Sequence, residues 1–218
     1  MAAPIFHART MAGGATGTKR VITVPATASA GDALLIWAYI ETTGITFSLS
    51  GWTKAAETAQ VSEGWTAVCF ALANWNGSTT TYELTWGGAS KFNAVAIEAI
   101  SGADTTAPLH AQSGAGFKEN ASSKNAVVGG LTTTVDECLL LSGVFNDNGS
   151  TVTPGSGWTE DGDQADSPEI CHKTTAVSKG AQESVTHTLG IASISLTLML
   201  AIQPPQPTVN KGLLPVVI

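Results

Sequence analysis

The side chains with most chemical reach in this chain are its carboxylates, histidines and thiols. The densest group is Glu160-Asp161-Gly162-Asp163-Gln164-Ala165-Asp166. Hard cations need several oxygen ligands at once, and Asp161, Asp163 and Asp166 could supply them. The order of a calcium-binding EF-hand loop fails at Ala165, and His172 stands where the bidentate glutamate belongs. A solvated loop without metal is therefore expected. Cys171-His172, with His187, suggests a metal or a thiol nucleophile. Neighbouring strand residues point to opposite faces, however, and cannot ligate one ion together. His7, His110, His172 and His187 have no partner identifiable by spacing, and no Gly-x-Ser-x-Gly nucleophile elbow occurs. The carboxylate pairs Glu57/Glu63 and Glu98/Asp104 have unremarkable separations, and Gly14…Gly17-Thr18-Lys19 lacks the phosphate-loop pattern. No enzyme chemistry and no cofactor is expected.

Six tryptophans raise a different chemistry, stacking on sugar rings. Trp37, Trp65 and Trp86 fall in strand-like runs. Trp52 and Trp158 each stand in a Ser-Gly-Trp-Thr stretch and read as framework. Trp75, in Asn74-Trp75-Asn76-Gly77, is expected to be exposed and is the candidate sugar contact.

What positions these groups is set by composition and pattern. Charged residues are 12% of the 218, about half the roughly 25% of an ordinary soluble protein. Thr, Ser, Gly and Asn must then cover the surface, which suits strands better than helices. A net charge of −7 with ten Lys+Arg excludes a phosphate-backbone reader, so no nucleic-acid partner is expected. The best apolar run, 191–202, is too short and too Ser/Thr-interrupted for a membrane span. The opening Met1-Ala2-Ala3-Pro4-Ile5-Phe6-His7 lacks a signal-peptide layout. Synthesis in a reducing cytoplasm is expected, with Cys69, Cys138 and Cys171 as free thiols.

One stretch occurs twice. Gly31-Asp32-Ala33-Leu34-Leu35-Ile36 followed by Gly51-Trp52-Thr53 returns as Asp136-Glu137-Cys138-Leu139-Leu140-Leu141 followed by Gly157-Trp158-Thr159. Short strands separated by turn signals surround both copies. The pattern predicts an all-β protein: an antiparallel, jelly-roll-like sandwich over 21–203 built from two pseudo-repeated halves. The halves are placed at about 21–104 and 125–203, interleaved in a single sandwich and joined by a connector over 105–124. Residues 1–20, rich in Ala and Gly, are expected to be a flexible arm. Residues 204–218 are expected to be a Pro-rich arm that leaves the sandwich. Its Pro204, Pro205, Pro207, Leu213, Leu214, Val216, Val217 and Ile218 form a candidate partner-binding segment, because an apolar stretch on a stiff spacer favours docking over solvent.

The residues Gly31, Asp32, Leu34, Gly51-Trp52-Thr53, Ile100-Ser101-Gly102-Ala103-Asp104, Pro108, Asp136 and Gly157-Trp158-Thr159 resemble β-sandwich domains of tailed-bacteriophage virion proteins. The resemblance covers roughly 20–203 and carries no catalytic residue. It implies a particle-bound structural role as a capsid decoration (cement) protein, with the major capsid protein or other virion proteins as partners. It also implies a homo-oligomer, often a trimer, located in the virion. A tail- or fibre-associated or surface carbohydrate-binding module is the alternative.

Overall fold

The computed structural model describes residues 2–14, 16–60, 64–114, 116–146, 148–161 and 168–207. These residues form strands and no helix. In chain order the first eight strands are β1 (Ile5–Gly14), β2 (Gly17–Thr23), β3 (Ala33–Ile40), β4 (Phe47–Ser48), β5 (Thr53–Gln60), β6 (Trp65–Leu72), β7 (Thr81–Ser90) and β8 (Asn93–Ser101). They are followed by β9 (Leu109–Gln112), β10 (Lys118–Val128), β11 (Leu131–Thr133), β12 (Leu139–Asn146), β13 (Val152–Thr153), β14 (Trp158–Glu160), β15 (Glu169–Lys173), β16 (Gly180–Gln182) and β17 (Val185–Ile202). All named pairings are antiparallel.

Two large sheets organise the molecule. The first runs β1-β8-β3-β6-β5 and the second β10-β17-β12-β15-β14, with β9 and β13 also paired to β17. A smaller sheet, β2-β7-β4, covers the outer face of the first. The N-terminal part of β17 with β13 and the end of β10, together with the β11–β16 pair, encloses the outer core of the second.

Alternation along β3 shows why its sequence is apolar throughout. Leu34, Ile36, Ala38 and Ile40 enter a core with Ile22, Phe47, Leu84 and Trp86, closed by the small sheet. Ala33, Leu35 and Trp37 point the other way, into a core shared with Leu139, Leu141, Phe145, Leu198 and Leu200 of the second sheet. With period two, both sets must be apolar when both faces are covered. β12 behaves likewise, with Leu140 and Val144 in a third core and Leu141 and Phe145 in the shared one. Along β6, Trp65 faces the shared core and Phe70 the first, so both are buried on opposite faces of one strand.

Several expectations are corrected. The halves do not interleave within a sheet: each described sheet draws its strands from one side of the 102–108 turn, and the two large sheets face each other across one shared core. The physical reason is the double-sided apolar character of β3, β8 and β12, which lets each half close its own core and still present an apolar face to the other. The N-terminal arm is structured, because β1 pairs with β8 and β2 with β7. Its small and polar residues show no apolar period because β1, as an edge strand, is only half-buried; Phe6 and Met11 nevertheless pack on the shared core. The connector 105–124 is likewise part of the second sheet, through β9 and the start of β10. Of the C-terminal arm, Pro204 is buried and Pro205 and Pro207 are exposed; Leu213, Leu214, Val216, Val217 and Ile218 lie outside the described residues.

Candidate functional site

The most site-like arrangement lies where β1 and β8 cross β15, at one seam between the two large sheets. Register puts Arg9 opposite Glu98 and Glu98 opposite Leu35, so Glu98 projects from β8 into the shared core. Glu98 is fully buried, and the Trp37 Nε1–H donates to its Oε2 at 3.0 Å. Its Oε1 has no hydrogen-bond partner. Burial first, and the nearby Asp161 charge second, push the Glu98 carboxyl up to about 8, against the opposing pull of Arg9 and the Trp37 hydrogen bond. The carboxyl is thus mostly protonated at neutral pH.

Across the seam, Asp161 follows β14 and pairs with His172 Nδ1 on β15. The Phe6 ring stacks on the His172 ring at 5.2 Å and 19°. The Arg9 guanidinium donates to Pro168 O at 3.0 Å, tying β1 to the second sheet. Burial raises the Asp161 carboxyl, while the His172 hydrogen bond and charge, and then Arg9, pull it down. The seam therefore holds an internal network of one arginine, one histidine and two carboxyl groups.

The expectation of a solvated loop is corrected at Asp161, whose side chain is 1% exposed. Burial is tolerated because Arg9 and His172 offset the charge. Asp163 and Asp166 lie outside the described residues. Among the described residues no group of three or more His, Cys, Asp or Glu is arranged to hold a metal ion. Cys171 is fully buried beside Glu160 and Glu169, and burial followed by the Asp161, Glu160 and Glu169 charges pushes its thiol far up, away from the thiolate that nucleophilic chemistry requires.

A second pair went unseen in the sequence. Ser142 Oγ lies 2.9 Å from His187 Nε2, and both residues are fully buried. The distance invites a serine–histidine reading, but the hydrogen bonding opposes it. The Gly155 N–H donates to His187 Nδ1 at 3.1 Å, so the proton of the neutral ring sits on Nε2 and is donated to Ser142. A ring in that tautomer cannot accept the serine proton. Burial also lowers His187 to about 4, holding it neutral. The pair is a core hydrogen bond joining β12 to β17, separated by 45 residues and marked by no motif.

His110 has a binding role of its own. Thr134 N–H donates to its Nε2 at 2.8 Å, so Nδ1–H donates to Gln203 Oε1 at 2.9 Å. The start of the C-terminal arm is thereby fixed, and Gln203 Nε2 and N donate to Ala107 O and Pro108 O. Asp104 receives N–H groups from Thr106, Ala107 and Gln206, and these bonds with the Thr106 hydroxyl hold its carboxyl down at about 2.

The candidate sugar contact is corrected. Trp75 is 6% exposed, packs into the first core, and donates from Nε1 to Thr79 O at 2.9 Å. Its backbone brackets the start of β3 through Trp75 N to Asp32 O and Gly31 N to Trp75 O. At the loop tip Asn76 Oδ1 accepts from the Ser78 and Thr79 N–H groups, and the Trp75 indole folds under it. Trp52 and Trp158 are half-buried at matching turns, where Gly51 and Gly157 take φ of 82° and 78°. Each packs on the core of its own half, Trp52 edge-on to Tyr82 and Trp158 edge-on to His187. No family model, no curated protein and no solved structure matches this chain.

Proposed function

We propose that the protein is a non-enzymatic structural component of a tailed-phage virion, acting as a decoration protein that binds and stabilises the head. The observation that carries the reading is where the polar chemistry sits. Glu98, Asp161, His172, Ser142 and His187 are engaged inside the fold. The exterior offers strand edges, a surface poor in charge and a proline-stiffened exit at Pro204–Pro207.

Strand order supports the architecture of such proteins. In the first half, β1-β8-β3-β6 faces β2-β7-β4, the order of a double-sheet jelly roll with its fifth strand moved to the neighbouring edge. In the second half, β10-β17-β12-β15 repeats that order, and β10 and β17 are long enough, at 11 and 18 residues, to serve both layers. On this reading the chain is two jelly-roll-like units back to back, rather than one. The repeat offset grows from 104 at Asp32/Asp136 to 106 at Trp52/Trp158, and Glu137, with φ of +63°, directly follows the second aspartate.

The partners on this reading are the major capsid protein and further copies of the chain. Co-sedimentation with emptied heads of a phage carrying this chain tests the proposal. Saturable binding is expected; failure to sediment with heads under near-virion ionic conditions would sink it. With Trp75 buried, no observation favours the carbohydrate-binding alternative.

A further inference from the structure

One guanidinium serves two buried carboxyl groups where β1 meets β15. Arg9 stands opposite Glu98 in the β1–β8 register, so the two side chains leave the same face of neighbouring strands. The guanidinium nevertheless reaches across the seam, where it donates to Pro168 O at 3.0 Å. Its charge acts on Glu98, Asp161 and Cys171 alike. The bond to Pro168 and the stack of Phe6 on His172 tie the N-terminal edge strand to the second sheet.

The carboxyl oxygens show how this arrangement is balanced. Glu98 Oε2 accepts from the Trp37 indole, whereas Oε1 is buried with no hydrogen-bond partner. Asp161 Oδ1 is held by His172, and its Oδ2 is likewise buried without a partner. A second carboxylate ionised here would be desolvated and beside a like charge, so the geometry holds Glu98 as the neutral acid. The groups around Glu98 are Arg9 from β1, Trp37 from β3, Cys69 from β6, and Asp161 from the end of β14, itself paired with His172 of β15. Glu160, Glu169 and Cys171 lie on the opposite face of β14 and β15 from Ile170 and His172. Asp163 and Asp166 are outside the described residues.

We infer that Arg9 is a partner-exchanging latch: when Glu98 loses its proton, the Arg9 guanidinium leaves Pro168 O for the Glu98 carboxylate, and β1 is released from β15 at this seam. One proton passes from Glu98 to solvent, and one hydrogen bond to a backbone carbonyl is exchanged for an ion pair. The exchange is favoured because a buried carboxylate needs a partner more than a carbonyl does. Burial and the Asp161 charge set the point of proton loss at about 8, so the latch is closed at neutral pH and opens on the alkaline side. The rest of the shared core, from Leu35 and Trp37 to Leu198 and Leu200, stays packed. The opening is therefore local to Phe6, Arg9, Pro168 and His172. It goes beyond the virion role and is measured on the isolated protein.

Carbene footprinting of the full chain at pH 6 and pH 9 tests the latch. Labelling of Phe6–Arg9 and Pro168–Lys173 should rise several-fold at pH 9, while Ala33–Ile40 and Trp65–Leu72 keep their pH 6 level. Glu98→Gln, whose amide oxygen still accepts from Trp37 and which cannot ionise, should show no rise. Wild-type labelling that stays constant, that rises equally in the variant, or that spreads to Ala33–Ile40 would overturn the inference. A second readout follows the Trp37 indole N–H by NMR, since its acceptor changes from an acid to a carboxylate. Its resonance should move between pH 6 and 9 in the wild type and stay fixed in Glu98→Gln; a fixed wild-type resonance would also overturn it.

Discussion

Replacing Glu98 by Gln is expected to reshape the pH dependence of stability. The carboxyl moves from an ordinary 4.5 to about 8 in the folded protein. Its folded pKa is raised, so its stability contribution is full below about 4.5 and is lost as pH rises towards 8. Between those values the unfolded chain has released a proton that the folded chain keeps. The loss is about 1.4 kcal/mol per pH unit and of order 5 kcal/mol in all. His187 works in the opposite sense: its pKa falls from 6.5 to about 4, so stability rises with pH through that window, by about 3 kcal/mol. The two slopes cancel between about pH 4.5 and 6.5, leaving a plateau followed by a decline up to pH 8. Asp161, also raised by burial, acts with the sign of Glu98 and tilts the whole profile downward with rising pH. Urea unfolding at half-unit steps from pH 4.5 to 9 measures this. Glu98→Gln should abolish most of the decline above 6.5 and convert the plateau into a rise. Parallel wild-type and variant curves would refute the assignment of Glu98 as a buried, protonated acid.

Two further substitutions probe the packing. Trp75→Ala should lower unfolding free energy by about 3–5 kcal/mol, the cost of emptying a large buried site; a loss under about 1 kcal/mol by the same urea assay would contradict its burial. Gly143 sits against Trp37 across the shared core, where an added Cβ would come within 2.7 and 2.9 Å of ring carbons. Gly143→Leu should therefore cost at least about 1–3 kcal/mol, and Trp37→Leu in the same chain should recover part of that loss. Additive losses in the double-mutant cycle would argue against direct contact.

The sequence showed the all-β class because strand periodicity and turn residues are local properties. It also showed the framework role of Trp52 and Trp158, since a repeated Gly-Trp-Thr requires the same positive-φ turn twice. Pairing between distant segments was hidden. β1 was missed because an edge strand of Ala, Thr and Gly needs only backbone bonds and an occasional Phe6 or Met11 to hold it. The double-sided burial of β3 was legible as an unbroken apolar run, but that run could not say whether the second face met the same half or the other. The ionic seam was illegible for the same reason: Arg9, Glu98, Asp161 and His172 lie on four separate segments, and only sheet register brings them together. Trp75 was misjudged because turn chemistry describes the backbone of Asn74–Gly77 and not the direction of its indole.

Electron cryomicroscopy of heads incubated with the purified protein gives the proposed virion role its sharpest test. The expected result is added density at every symmetry-equivalent site on the head, with the dimensions of two back-to-back β-sandwich units. Bare heads, or density confined to the tail, would contradict it.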